Sequence, residues 1–194
     1  MQVSTKKEQR AFYKSKRSEI EKTRKNVLDT GVFENFKKFF ESCNNKKFLV
    51  YVSNDFEVET TRIIEFLIEN NAEVAVPRCE NGTNVMNFYY ISSFSDLEKG
   101  YFGILEPDNL CKKVSYTDDF VCLVPALCFD KHGYRIGYGK GFYDRFFSEH
   151  KVMLKVGLCY EVFLIDKIIT DENDVSVDMI ITECNLHERS NYER

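Results

Sequence analysis

The sequence predicts an α/β protein built on a mainly parallel, mixed central sheet. Short continuous apolar runs such as KFLVYVS, FVCLVP and MLKVGLCY read as strands buried on both faces, and stretches of helical periodicity stand between them. No internal repeat and no low-complexity linker divides the 194 residues, so 1–194 is expected to fold as a single domain.

From Ser4 to about Lys25 the chain is helix-forming and strongly charged, with Phe12 and Ile20 as its main apolar contacts, and it reads as a largely exposed helix. A second helix is expected after Asp29 as N-cap. Val32, Phe33, Phe36, Phe39 and Phe40 fall on one face of it and should pack into the core. KFLVYVS follows as a buried strand, then TTRIIEFLIENN as an amphipathic helix that exits at Asn71. EVAVPR reads as a strand ended by its proline, and VMNFYYI as a third strand. Between Ser92 and Lys113 turn residues surround a short helix expected at Ser95 to Lys99. FVCLVP, a glycine loop, the short helix GFYDRFFSEH and the strands MLKVGLCY and VDMIIT complete the order.

A formal charge of −4 and a pI near 5.5 argue against a general nucleic-acid or anionic-membrane binder, which needs a basic surface. The seven cysteines are odd in number and contain no CxxC pair, so reduced thiols are expected rather than disulfides or a zinc knuckle. The start MQVSTKKEQR has no apolar h-region, and the longest apolar run is far short of the ~20 residues of a membrane span. A cytoplasmic location is expected.

The chemistry concentrates in DKHGYRIGYGKGFYDRFF, with glycines at 133, 137, 139 and 141 after an apolar strand and before a helix. Glycines let backbone N–H groups turn toward an anion, and the following helix adds the favourable end of its dipole. Lys140 and Arg135 supply charge. The segment is not a Walker A loop, because Tyr134 stands where the first glycine is required and Gly141 follows the lysine. The dinucleotide fingerprint fails at Phe142. Taken alone, the loop also fits a tight glycine-rich turn with a structural lysine. His132 reads as a turn residue without a catalytic role.

The longer segment VPALCFDKHGYRIGYGKGFYDRFF resembles the signature of the 5-formyltetrahydrofolate cyclo-ligase (methenyltetrahydrofolate synthetase) family. The likeness extends through Lys6 and Arg10 in K-x-x-x-R, EVET at 57 to 60, VPR at 76 to 78, GILEP at 103 to 107 and ENDVSVD near the end. It departs at Ala126, where glycine is common, and at Phe142, where tyrosine is. The resemblance implies a three-layer α/β/α sandwich and an ATP- and magnesium-dependent ring closure of 5-formyltetrahydrofolate, with or without a polyglutamate tail, by a monomer.

The resemblance also implies roles. Lys140 and Arg135 would be catalytic cations. Lys6, Arg10 and the run Arg135, Ile136, Gly137, Tyr138, Gly139, Lys140, Gly141, Phe142 and Tyr143 would bind ATP. Val52, Glu57, Tyr138, Gly139, Lys140, Gly141 and Phe142 would contact folate, with Glu57 taking the pterin edge and the aromatic faces its rings. Asp144 and Asp174 would hold Mg2+, with Asp178 as the competing choice for the second ligand. Lys14, Lys16, Arg17 and Arg24 read instead as a solvated basic face, and Arg135 could simply pair with a carboxylate. A non-catalytic folate- or nucleotide-binding regulator of the same fold is the alternative; retention of Lys140 and Asp144 speaks against it.

Overall fold

The computed structural model describes residues 5–80, 82–100 and 103–189. Helix α1 (Lys6–Ser18) opens with a capping box in which Thr5 and Glu8 satisfy each other's backbone N–H groups. Helix α2 (Lys22–Ser42) leads to strand β1 (Lys47–Leu49), and α3 (Thr61–Glu69) to β2 (Glu73–Cys79) and β3 (Met86–Ile91). A small hairpin, β4 (Leu97–Lys99) and β5 (Leu105–Pro107), precedes β6 (Val121–Val124). After it come β7 (Cys128–Asp130), β8 (Arg135–Ile136), α4 (Phe142–Glu149), β9 (Leu154–Leu158), β10 (Leu164–Ile165), β11 (Met179–Ile181) and β12 (Leu186–Glu188).

The main sheet has the order β12-β11-β9-β6-β1-β2-β3. Its five inner strands run parallel and each edge strand is antiparallel to its neighbour. Consecutive Phe48, Leu49 and Val50 are all fully buried, as a strand covered on both faces must be. The phenylalanine stripe of α2 covers one side: Phe36 and Phe40 meet Phe48 and Phe66 edge-on or tilted, with centroids 5.2–6.4 Å apart. Each such ring contributes about 1.5–3 kcal/mol by leaving water. Helix α4 lies on β3 through Phe146 and Phe88, 5.0 Å apart. The expected three-layer α/β/α sandwich with a mixed, mainly parallel sheet is the observed one.

Several local expectations are corrected. The single helix over Ser4–Lys25 is two, separated by a corner at Glu19–Glu21 where Ile20 turns in against the core; Ser4 lies outside the described residues. Asp29 is not an N-cap. It sits inside α2, buried, and accepts hydrogen bonds from Lys25 Nζ, the Glu59 amide and the Tyr160 hydroxyl. Pro77 does not end β2, which continues to Cys79. Ala75 turns its carbonyl toward β1, where Val50 N binds it; two residues later the Pro77 nitrogen faces the same side beyond the end of β1, where no donor is needed. The helix expected at 95–99 is a short 3-10 turn (Phe94–Asp96) running into β4.

All seven cysteines are free, three of them buried. Among the described residues no helix is long and apolar enough to cross a membrane.

Candidate active site

The glycine-rich segment is a hairpin before it is a loop. Strands β7 and β8 pair antiparallel, and the turn between them is fastened by Asp130, whose buried carboxylate accepts the amides of His132, Tyr134 and Ile168. Three N–H donors satisfy a charge that would otherwise be expensive to bury. His132 serves this turn, as expected. Gly133, at φ 83°, exchanges backbone contacts with Val177, and this ties the hairpin to the segment entering β11.

Past Ile136, whose side chain is buried in the core, the chain turns through Gly137–Gly141 and enters α4 at Phe142. Gly139 needs to be glycine because its φ is 91°; a Cβ there would also stand 2.8 Å from the Arg10 guanidinium carbon and displace that side chain. Arg10 Nε donates to Gly137 O at 3.0 Å. One turn earlier on α1, Lys6 Nζ bonds Asp171 at 2.7 Å and also Asp174. Burial alone would lower the Lys6 pKa, but these two carboxylates outweigh it and hold it above the usual lysine value. The i, i+4 spacing of Lys6 and Arg10 thus brings both cations, Asp174 and the glycine turn together on the outer flank of the loop.

Arg135 and Asp144 lie within the loop's fold. The Arg135 side chain is only 6% exposed, donates to Val175 O at 2.6 Å and pairs with Asp144 at 2.6 Å. The pairing with a carboxylate is the structural alternative foreseen for this arginine. Asp144 Oδ1 also accepts the Val175 amide, so it does not cap α4. Asp178, by contrast, is occupied by Lys155 through both its amide and its Nζ.

On the inner flank lies a cavity of about 570 Å³. Its walls are the loop 51–57, residues 104–106 of the β4–β5 hairpin, and Gly137, Tyr138 and Lys140 to Asp144 of the glycine segment. Val52, Glu57, Tyr138, Lys140, Phe142 and Asp144 all face it, whereas Lys6, Arg10 and Asp174 do not. The wall at 51–60 is set by Thr60, which exchanges hydrogen bonds with Ser53 and donates to Tyr51 O at 2.6 Å. Asn54 N then binds Glu57 Oε2 at 2.9 Å. Glu57 is only 6% exposed, and burial pushes its pKa up to about 7 against the opposing pull of the Asn54 amide, Arg17, Lys25 and the Tyr138 hydroxyl. The buried Tyr143 hydroxyl has no hydrogen-bond partner among the described residues. Lys140 is exposed at the rim, without an ion pair among the described residues.

Of the basic residues assigned to a solvated face, Lys14 is exposed as expected and also borders the cavity, while Arg17 is elsewhere. Arg17 is 4% exposed, and its guanidinium binds two loop carbonyls. Ala126, buried, has an ordinary negative φ, so replacing the usual glycine strains nothing.

A half-enclosed cavity beside a cation-bearing glycine loop, on a sheet covered on both faces, is the site of a small-molecule enzyme. The model of the 5-formyltetrahydrofolate cyclo-ligase family matches residues 2–183, and the chain belongs to that family, whose members are ligases. It is 33% identical over 193 residues to a probable 5-formyltetrahydrofolate cyclo-ligase of Caenorhabditis elegans, covering 92% of each chain. The Saccharomyces cerevisiae 5-formyltetrahydrofolate cyclo-ligase is 32% identical over 164 residues, 72% of this chain and 77% of the yeast one. The solved structure of Aquifex aeolicus 5,10-methenyltetrahydrofolate synthetase superposes with a TM-score of 0.83 at 30% identity, covering 97% of this chain and 95% of that one. A Mycoplasma pneumoniae 5,10-methenyltetrahydrofolate synthetase shares the fold, with a TM-score of 0.75 at 23% identity.

Proposed function

We propose that this chain, one domain over residues 1–194, closes 5-formyltetrahydrofolate to 5,10-methenyltetrahydrofolate and converts ATP to ADP and phosphate. The observation that carries the reading is the placement of two unlike surfaces on the two flanks of one glycine loop. The outer flank gathers Lys6 and Arg10, suited to phosphates; the inner flank offers a largely apolar cavity with one buried carboxylate, suited to a pterin.

The formyl group on N5 resists attack because amide-like resonance stabilises it. In the proposed sequence its oxygen takes the γ-phosphoryl group and ADP departs. N10 then attacks the formyl carbon, its proton is lost, and phosphate leaves with the former formyl oxygen. Phosphoryl transfer of this kind depends on positioning and charge stabilisation. Lys140, unpaired among the described residues at the rim, is the side chain we assign to the transferred phosphoryl group. Arg135 acts through Asp144, which it orients. Glu57 accepts hydrogen bonds from the pterin edge, and Tyr138 and Phe142 pack against its rings.

Asp144 and Asp174 fit a magnesium ion delivered with ATP. The hydrogen bonds each accepts fall on one oxygen, Oδ1 of Asp144 and Oδ2 of Asp174, and Asp144 binds the amide of Val175, next to Asp174. Magnesium takes few protein ligands and shares phosphate oxygens, so two carboxylates suffice. Bound there, Mg2+ would neutralise phosphate charge. Asp174 is the second ligand in this reading because Val175, whose amide Asp144 binds, stands next to it. The reading extends to a cytoplasmic monomer that accepts mono- or polyglutamylated folate and binds neither nucleic acid nor membrane.

Mixing the purified chain with 5-formyltetrahydrofolate and MgATP, and following the absorbance of the methenyl product, tests the proposal. ATP-dependent product is expected. Tight binding of both ligands without product, for either folate form, would favour a regulatory binder instead.

A further inference from the structure

Arg17 stands apart from the other basic residues of α1. Lys14 and Lys16 are exposed, whereas the Arg17 guanidinium is buried over the neighbouring rings of Tyr160 and Phe163, 5.2 and 4.9 Å from their centroids. Its Nε donates to Leu127 O at 2.8 Å, and its Nη1 to Phe56 O at 2.9 Å. Among the described residues no carboxylate pairs with it, and its buried Nη2 has no hydrogen-bond partner. A side chain needed only for packing would not carry an unpaired charge into such a place.

The two carbonyls locate its purpose. Leu127 immediately precedes β7, the first strand of the glycine hairpin, and Phe56 immediately precedes Glu57. The planar guanidinium therefore ties Phe56, in the cavity wall, to Leu127 at the base of the glycine hairpin, with a fixed fork that one ammonium could not reproduce. We infer that Arg17 is a positioning residue, which sets the separation of Glu57 from the glycine hairpin and thereby the fit of the folate side of the cavity. The inference rests on the cyclo-ligase reading for the identity of that ligand.

Its charge also reaches Glu57. The groups acting on that carboxylate are Arg17 from α1, Lys25 from α2, Tyr138 from the glycine turn and the Asn54 amide from its own loop, and all favour the ionised form against burial. On the outer flank Arg10 holds the loop at Gly137 O and Lys6 holds Asp171 and Asp174, through contacts that do not involve Arg17. Loss of Arg17 should therefore be felt on one flank.

The test is steady-state turnover of the full chain, wild type against Arg17→Met and Arg17→Lys, varying each substrate with the other saturating, across about pH 5.5–9. Arg17→Met is expected to raise KM for 5-formyltetrahydrofolate by about tenfold or more, and KM for MgATP by less than about twofold. It should also move the acid limb of kcat/KM for folate to higher pH, since one cation favouring ionised Glu57 is gone. Arg17→Lys should keep that limb near its wild-type position while still raising the folate KM. Equal rises in both KM values, or an unchanged folate KM, would overturn the assignment. If Arg17→Met does not fold, the folate-only effect of Arg17→Lys decides it. Absence of product from the wild type would count against the proposed activity instead, and direct titration of wild type and Arg17→Lys with 5-formyltetrahydrofolate would then decide Arg17.

Discussion

The two flanks of the glycine loop differ in how their charges are held. On the outer flank the cations already have partners: Lys6 is engaged by Asp171 and Asp174, and Arg10 by Gly137 O. A triphosphate arriving there exchanges one set of charge-assisted bonds for another, and little charge has to be desolvated anew. On the inner flank the one buried carboxylate, Glu57, sits among the less buried Asp55, Glu106 and Asp144 with its pKa raised to about 7 by burial. Here the free protein holds a group in an unfavourable state that a ligand's N–H donors would relieve. The outer flank is organised for exchange and the inner for selective capture, so substitutions on the two should fail differently.

The largest effects should come from the residues at which the flanks meet. Lys140→Ala and Asp144→Asn are expected to lower kcat by about a hundredfold or more while the fold persists, measured by product absorbance with circular dichroism as control. Asp144→Ala should in addition cost about 3–5 kcal/mol of stability, because it leaves Arg135 buried without its partner. Wild-type turnover in Lys140→Ala would erase the distinction between the flanks.

Glu57→Gln sharpens it. With its folded pKa raised above the ordinary 4.5, Glu57 binds its proton more tightly in the folded chain than in the unfolded one. The wild type therefore loses stability as pH rises from about 4.5 through 7, by up to about 3 kcal/mol from this group. Thermal unfolding should show Glu57→Gln becoming more stable relative to wild type as pH rises, while its KM for 5-formyltetrahydrofolate increases and that for ATP does not. A parallel pH dependence in the two proteins would contradict the buried, proton-holding state of Glu57.

The smallest expected change is at Gly139→Ala. The new methyl group meets Arg10 and requires a positive φ, so a loss of about 1–2 kcal/mol and a selective rise in the KM for MgATP are predicted. A change confined to folate would place Arg10 on the wrong flank.

Much of this was readable in the sequence because burial on both faces leaves continuous apolar runs and a half-buried helix leaves a stripe. FVCLVP and the Phe36–Phe40 stripe declared themselves in this way. The glycine loop and its distant partners Lys6, Arg10, Glu57 and Asp174 were legible through an extended motif, which composition alone does not contain. Other features were hidden for physical reasons. Arg17 lies in a run of basic residues, where nothing local distinguishes a guanidinium buried over Tyr160 and Phe163 from one in water. Asp29 resembles a helix cap because its partners, Tyr160 and Glu59, are supplied by remote parts of the chain. Strands β7 and β8 vanish inside a glycine-rich segment, since two or three residues of pairing leave no periodicity to read.

The claim on which the rest depends is that one loop serves two substrates from opposite flanks. A structure determined with a non-hydrolysable MgATP analogue tests it most directly. The account predicts the triphosphate within hydrogen-bonding distance of Lys6, Arg10 and Lys140, the metal on Asp144, and the Glu57 wall left open for folate. A triphosphate seated against Glu57, with Lys6 and Arg10 retaining their present partners, would contradict it.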